Sequence, residues 1–143
     1  VRSQAAPVGA FRLLVVDDCR LYRRGLCLNL RRALPELRAI EFGDGPSVLR
    51  YLETEPVDAA LIGLHMPGMD GPTLGIHLLS HLPGSRIFFM SVDPDWLLWR
   101  VAEEISPGRV FDKNNDTRAM VRAFRALAER NAPIGVVREE NKR

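Results

Sequence analysis

"VDAALIGLHMPGMDG", Val57 to Gly71, decides how this chain folds. Residues 57–64 are almost continuously apolar, with no helical period, and read as a strand buried on both faces. Residues 65–71 follow as a loop punctuated by Pro67, Gly68 and Gly71. A loop that closes a buried strand is where an α/β sheet carries its reactive groups. Yet Gly63, next to the end of the run, offers no side chain to react.

Working outward, the same alternation of apolar run and amphipathic segment recurs on both sides. Residues 11–16, "FRLLVV", form a strand closed by Asp17 and Asp18. Residues 19–34 place Leu21, Gly25, Leu28 and Arg32 on one helical stripe, with Leu26, Leu30 and Leu34 beside it, and Pro35 stops them. Residues 37–42 form a second strand. After a Gly-Asp-Gly turn, 46–55 read as a helix with Pro46 at its first position. Beyond the loop come a helix at 72–82, a strand at 86–92, a helix at 93–105 opened by Asp93 and Pro94, and a short strand at 109–113. The last helix spans 115–130, with Asn115 or Asp116 as its N-cap. Five strand–helix pairs in strict alternation predict a parallel sheet with helices on both faces and few ways to wind it.

The totals agree with one domain. At 143 residues and 46% hydrophobic, with a net charge of +2, the chain suits a single globular core. Residues 1–10 read as a flexible lead, 11–130 as the domain, and 131–143 as a tail or linker. No apolar run approaches the ~18 residues that span a bilayer, and the first ten residues lack a signal peptide's apolar centre. Cys19 and Cys27 are expected reduced and buried on one helix. The expected setting is soluble and cytoplasmic, away from membranes.

In such a sheet the carboxyl ends of the strands are neighbours, so Asp17, Asp18, Gly63, Ser91 and Lys113 converge. Adjacent carboxylates repel unless a cation lies beside them. A hard oxygen site of this kind suits Mg²⁺, and a Ser hydroxyl with a Lys ammonium suits phosphoryl oxygens. What is missing is a carboxylate nucleophile to accept the phosphoryl group.

"LLVVDD", "MPGMDG", Ser91 and "FDK" together resemble the CheY-like receiver domain of two-component response regulators, over about residues 11–130. "DDCRLYRRGL" is most similar to receivers that precede a helix-turn-helix output of the LuxR/NarL type. The resemblance implies a flavodoxin-like, doubly wound fold with strand order 2-1-3-4-5. It implies an acidic pair at Asp17 and Asp18, a metal-facing backbone carbonyl at His65, a switch hydroxyl at Ser91 and a phosphate-pairing lysine at Lys113. Gly63 stands where the phospho-accepting Asp belongs. No one-residue slip repairs this, because Asp58 lies before the strand and Asp70 beyond the turn. Gly63 reads as a natural loss rather than an engineered change. Two further departures are Val110 at the switch-aromatic position, with Phe111 on the opposite face, and Asn114 where many relatives have Pro.

The expected function follows. The chain is an atypical pseudo-receiver, not an enzyme, acting through a protein partner or a homodimer to control an output. It requires no cofactor and holds Mg²⁺ weakly, because Lys113 pairs with the Asp couple. Dimerisation would use the face of the fourth helix, fifth strand and last helix, or that of the first and last helices. An output domain outside this chain would carry any DNA binding. The competing reading is a Mg²⁺-dependent phospho-acceptor of a LuxR/NarL-type transcriptional regulator that uses Asp17 or Asp18. His65, His77 and His81 lack metal-ligand geometry. Trp96 and Trp99 read equally as packing or as contact residues, and Arg118, Arg122 and Arg125 as a solvated stripe.

Overall fold

The computed structural model describes residues 10–92 and 96–131. The expected lead, the Asp93-Pro94 helix start and nearly all of the expected tail lie outside that set.

Among the described residues five strands and five α-helices alternate: β1 (Phe11–Val16), α1 (Arg20–Ala33), β2 (Leu37–Phe42), α2 (Gly45–Tyr51), β3 (Ala59–Gly63), α3 (Gly71–Leu78), β4 (Ile87–Ser91), α4 (Trp96–Ile105), β5 (Val110–Asp112) and α5 (Thr117–Asn131). A 3-10 turn, Gly84–Arg86, leads into β4. All strand pairs are parallel, in the order β2-β1-β3-β4-β5. The flavodoxin-like, CheY-like architecture is the one expected.

The period-2 geometry of the strands divides the apolar residues between two cores. Phe11, Leu13 and Val15 join Leu61, Met90 and Phe111 beneath α1 and α5. Leu14 and Val16 join Ile62, Phe89 and Ile87 beneath α2, α3 and α4. Each large side chain so buried contributes roughly 1.5–3 kcal/mol, and only Arg12 near the start of β1 and Ser91 at the end of β4 interrupt the apolar run of the inner strands. Phe88 anchors the first core, stacked on Phe111 with ring centroids 5.8 Å apart and edge-on to Phe124 at 5.0 Å. Val110 and Phe111 fall in different cores, so they do point to opposite faces.

Several local expectations are corrected. α2 ends at Tyr51 rather than 55, because Glu53 and Thr54 donate to carbonyls three residues back and Pro56 disfavours helix in the residue before it. Asp44 caps this helix through the Ser47 N–H at 2.8 Å, which places Pro46 second rather than first. α3 begins at Gly71 under an Asp70 cap and ends at Leu78. Asp116 takes the expected N-cap position of α5, its carbonyl accepting from the Met120 N–H at 2.9 Å, while its carboxylate accepts from the Asp112 N–H at 2.7 Å. Cys27 is buried as expected, whereas Cys19 is exposed. Cys19 is the N-cap residue of α1, and eight residues of helix turn it about 80° away from the face that Cys27 presents. That buried face is Leu26, Cys27 and Leu30, while Leu21 and Leu28 are solvent-exposed.

Candidate functional site

The register of the sheet sets the site. Val16 pairs with both Phe42 and Ile62, Gly63 with Met90, and Ser91 with Asp112. The carboxyl ends of β1, β3, β4 and β5 therefore finish at one level. The Lys113 N–H donates to the Ser91 carbonyl at 2.9 Å, so the lysine leaves the sheet beside a buried Ser91. The loop after β3 turns at Pro67-Gly68. Gly68 has φ +79°, the conformation that the third residue of a type II turn requires.

Asp17 is 1% exposed. Its Oδ2 lies 2.5 Å from the Lys113 ammonium and its Oδ1 accepts from the Cys19 N–H at 2.8 Å. The ammonium also sits 4.5 Å from the centroid of the Tyr22 ring, a cation–π contact. Burial foremost, then the charges of Asp17 and Asp112, pushes the Tyr22 phenol up from 10.0 to about 12. Arg23 donates to the backbone carbonyl of Asp17 and holds Glu41 at 3.1 Å. Lys113 is thus enclosed by a carboxylate and an aromatic face.

Gly63 lies directly against this pair. A Cβ there would meet Asp17 Oδ2 at 2.9 Å and Asp17 Cγ at 3.3 Å. The carboxylate of Asp17 closes over the space that a side chain at 63 would need. From behind, Gly71 presses on the same peptide, since a Cβ on Gly71 would come 2.2 Å from the Gly63 carbonyl oxygen. The absence of a side chain at Gly71 lets α3 start hard against the end of β3.

The structure brings Asp17, Gly63 and Lys113 together, but Asp18 does not join them. Asp18 is exposed and lines a separate depression with His65, Met66 and Asp70. The expected pairing of Lys113 with both acids is therefore corrected to a pairing with Asp17 alone. Asp17 and Gly63 are ill-suited to Mg²⁺, which takes one or two protein carboxylates and completes its octahedron with water. One oxygen of Asp17 is taken by an ammonium and the other by an N–H, and Gly63 supplies none. Among the described residues no three His, Cys, Asp or Glu side chains gather as a metal site.

Other singled-out residues are peripheral. His65, His77 and His81 are exposed, as are Arg118, Arg122 and Arg125. Trp99 is half-buried against the second core, and the side chain of Trp96 lies outside the described set. Tyr22 and Arg23 escaped the sequence reading, although they lie on the first turn after the acidic pair.

A doubly wound sheet with a buried acid from its first strand facing a lysine after its fifth defines a CheY-like signalling domain. The family described as response regulator receiver domain matches residues 13–128. The chain belongs to that family, the receivers of two-component signalling. It is 30% identical over 82 residues to a protein-glutamate methylesterase/protein-glutamine glutaminase of Rhodospirillum centenum, covering 57% of this chain and 21% of that protein. It is 34% identical over 84 residues to the cyclic di-GMP phosphodiesterase response regulator RpfG of Xanthomonas campestris, covering 59% and 22%. The chain spans about a fifth of the length of these curated relatives. A CheY-like receiver domain from Methanospirillum hungatei superposes with a TM-score of 0.73 at 16% identity, covering 85% of this chain and 96% of that one. Among the described residues no helix is long and apolar enough to cross a membrane.

Proposed function

We propose that this receiver signals without phosphorylation at the usual position. It is a pseudo-receiver that acts by protein contact or dimerisation to control an output domain outside this sequence. One observation carries the reading: at the acceptor position there is a glycine, and the carboxylate of Asp17, tied to Lys113, occupies the space above it. A phosphoryl group needs a carboxylate nucleophile and a cation to receive its charge. Here the nucleophile is missing and the cation is engaged.

The pair does in a resting chain what a phosphoryl group does transiently elsewhere, engaging the lysine at the end of β5. A ligand or partner that prefers this arrangement shifts the population without covalent chemistry. Residues 11–130 form the receiver in this reading, with 1–10 as a lead and 131–143 as a linker to a LuxR/NarL-type output, all in the cytoplasm. The candidate contact faces are α4-β5-α5, where Leu97 is 60% exposed, and α1/α5, where Leu21 is 85% exposed. Both are large apolar groups on helices that border the site.

The test is incubation with a small acyl phosphate and Mg²⁺, followed by intact mass. The reading expects an unchanged mass. One added phosphoryl mass, mapped to Asp17 or Asp18, would establish the Mg²⁺-dependent acceptor instead.

A further inference from the structure

On the outer edge of the sheet, adjoining the Asp17–Lys113 site through Arg23, α1 and β2 enclose an open cleft of about 860 Å³. Its charged lining is Arg20, Arg23, Arg24, Arg31 and Arg38, with Glu41 as the one acid. That lining carries a net +4, so the rest of a chain of net +2 is acidic by two charges. The basicity of the whole chain is concentrated in this cleft.

Three of the guanidinium groups converge on the single carboxylate. Glu41 is reached by Arg23 at 3.1 Å, Arg24 at 3.5 Å and Arg31 at 3.7 Å. One carboxylate offers about four lone-pair positions, far fewer than three guanidinium forks can donate to. The side chains of Arg24 and Arg31 are 60% and 47% exposed, so their remaining donors face the cleft. Arg20, Arg24 and Arg31 recur at i, i+4 and i+11 on one helical stripe, spanning roughly 16 Å. A single orthophosphate cannot reach along such a row. The Phe42 and Tyr51 rings, with centroids 5.2 Å apart, add an aromatic surface to the same cleft.

We infer that this cleft binds a small anion bearing two or more phosphates, held by the arginine row of α1. Guanidinium groups grip phosphate oxygens in bidentate fashion and stay charged at every physiological pH. Glu41 engages Arg24 and Arg31 of the row and is thereby the ligand's internal competitor. The phosphates could come from inorganic polyphosphate or from a nucleoside polyphosphate, whose base would lie on the aromatic rings.

The experiment is calorimetric titration of the intact chain with tripolyphosphate and with ATP, both free of metal, at physiological ionic strength. Binding of both, tighter for ATP, assigns the nucleoside source, whereas binding of tripolyphosphate alone assigns the inorganic one. The double variant Arg24→Gln/Arg31→Gln is expected to weaken binding about tenfold or more. Glu41→Gln is expected to strengthen it, by removing the competing carboxylate. Circular dichroism and the unfolding midpoint establish that each variant is folded. The inference is overturned if neither compound binds in the millimolar range, if ATP binds and tripolyphosphate does not, or if the folded double variant binds as well as the parent. It is also overturned if folded Glu41→Gln binds no more tightly than the parent, or if an acidic peptide outcompetes both phosphates.

Discussion

Adding one methyl group at position 63 tests whether Asp17 truly occupies the acceptor's place. Gly63 has no positive φ, so on backbone grounds Gly63→Ala should stabilise its strand by about 0.5–1 kcal/mol. The contacts oppose that gain. The new Cβ would lie 2.9 Å from Asp17 Oδ2, and the carboxylate would have to retreat by about half an ångström to reach ordinary separation. It is not free to retreat, being held by the Cys19 N–H at 2.8 Å and the Lys113 ammonium at 2.5 Å. Overpacking of this kind costs about 1–3 kcal/mol, so the net expectation is a loss of roughly 0.5–2 kcal/mol, or some 2–8 °C in Tm. Gly63→Asp adds a second carboxylate beside the first, and should be less stable than the Ala variant by roughly 1–3 kcal/mol at neutral pH. That additional gap should narrow in acid as one carboxyl of the pair takes up a proton. Urea denaturation of the three proteins at neutral and acidic pH measures both effects. If Gly63→Ala were as stable as the parent or more so, Asp17 would not be fixed over the glycine, and the occupied-site argument would fail.

Lys113→Met strands a buried carboxylate and should cost about 3–5 kcal/mol in urea denaturation, with Asp17→Asn recovering part of it in the double variant; additive losses would mean the pair is not coupled. Ultraviolet titration should find one tyrosine ionising near pH 12, and Tyr22→Phe should remove that step. Because the folded-state value of Tyr22 is raised, its contribution is complete below pH 10 and falls as pH climbs from about 10 to about 12, by roughly 1–2 kcal/mol after allowing for its partial solvent contact. A native-state alkylation should modify one cysteine, Cys19, while Cys27 stays protected by burial, which with Glu41 pushes its thiol up to about 12. Two modified cysteines in the folded protein would place α1 differently.

The architecture was largely legible because it is written in strong, short-range patterns. The runs read at 11–16 and 86–92 lack a helical period and carry polar residues at their carboxyl ends, so both strands and the level at which they finish could be read directly. The motif spacing likewise placed Gly63 and Lys113 at one end of the sheet. What escaped the reading depends on distances between elements. Nothing local says that Asp17 turns inward and Asp18 outward, since both follow the same strand. That choice is made by Lys113 arriving from β5 and by the vacancy at Gly63. The arginine cleft was hidden for the same reason. On α1 alone these residues look like a solvated face, and only β2, folding alongside with Arg38 and Glu41, turns that face into a cavity wall. Helix ends were overrun where turns of tighter hydrogen bonding continued the pattern for a few residues, as at Glu53 and His81.

The close approach of Gly71 to the Gly63 carbonyl limits what a substitution at this point of the sheet can achieve. The peptide at 63 is braced from behind by a helix start that tolerates no methyl group, and capped in front by a neighbour's carboxylate. One codon changed to aspartate at position 63 would therefore not by itself build an acceptor here. The new side chain would find its seat taken and its lysine already committed, so the change lowers stability before it adds any chemistry. Chemistry at this position calls for changes at Asp17 and Gly63 together, since the two are neighbours whose effects do not simply add.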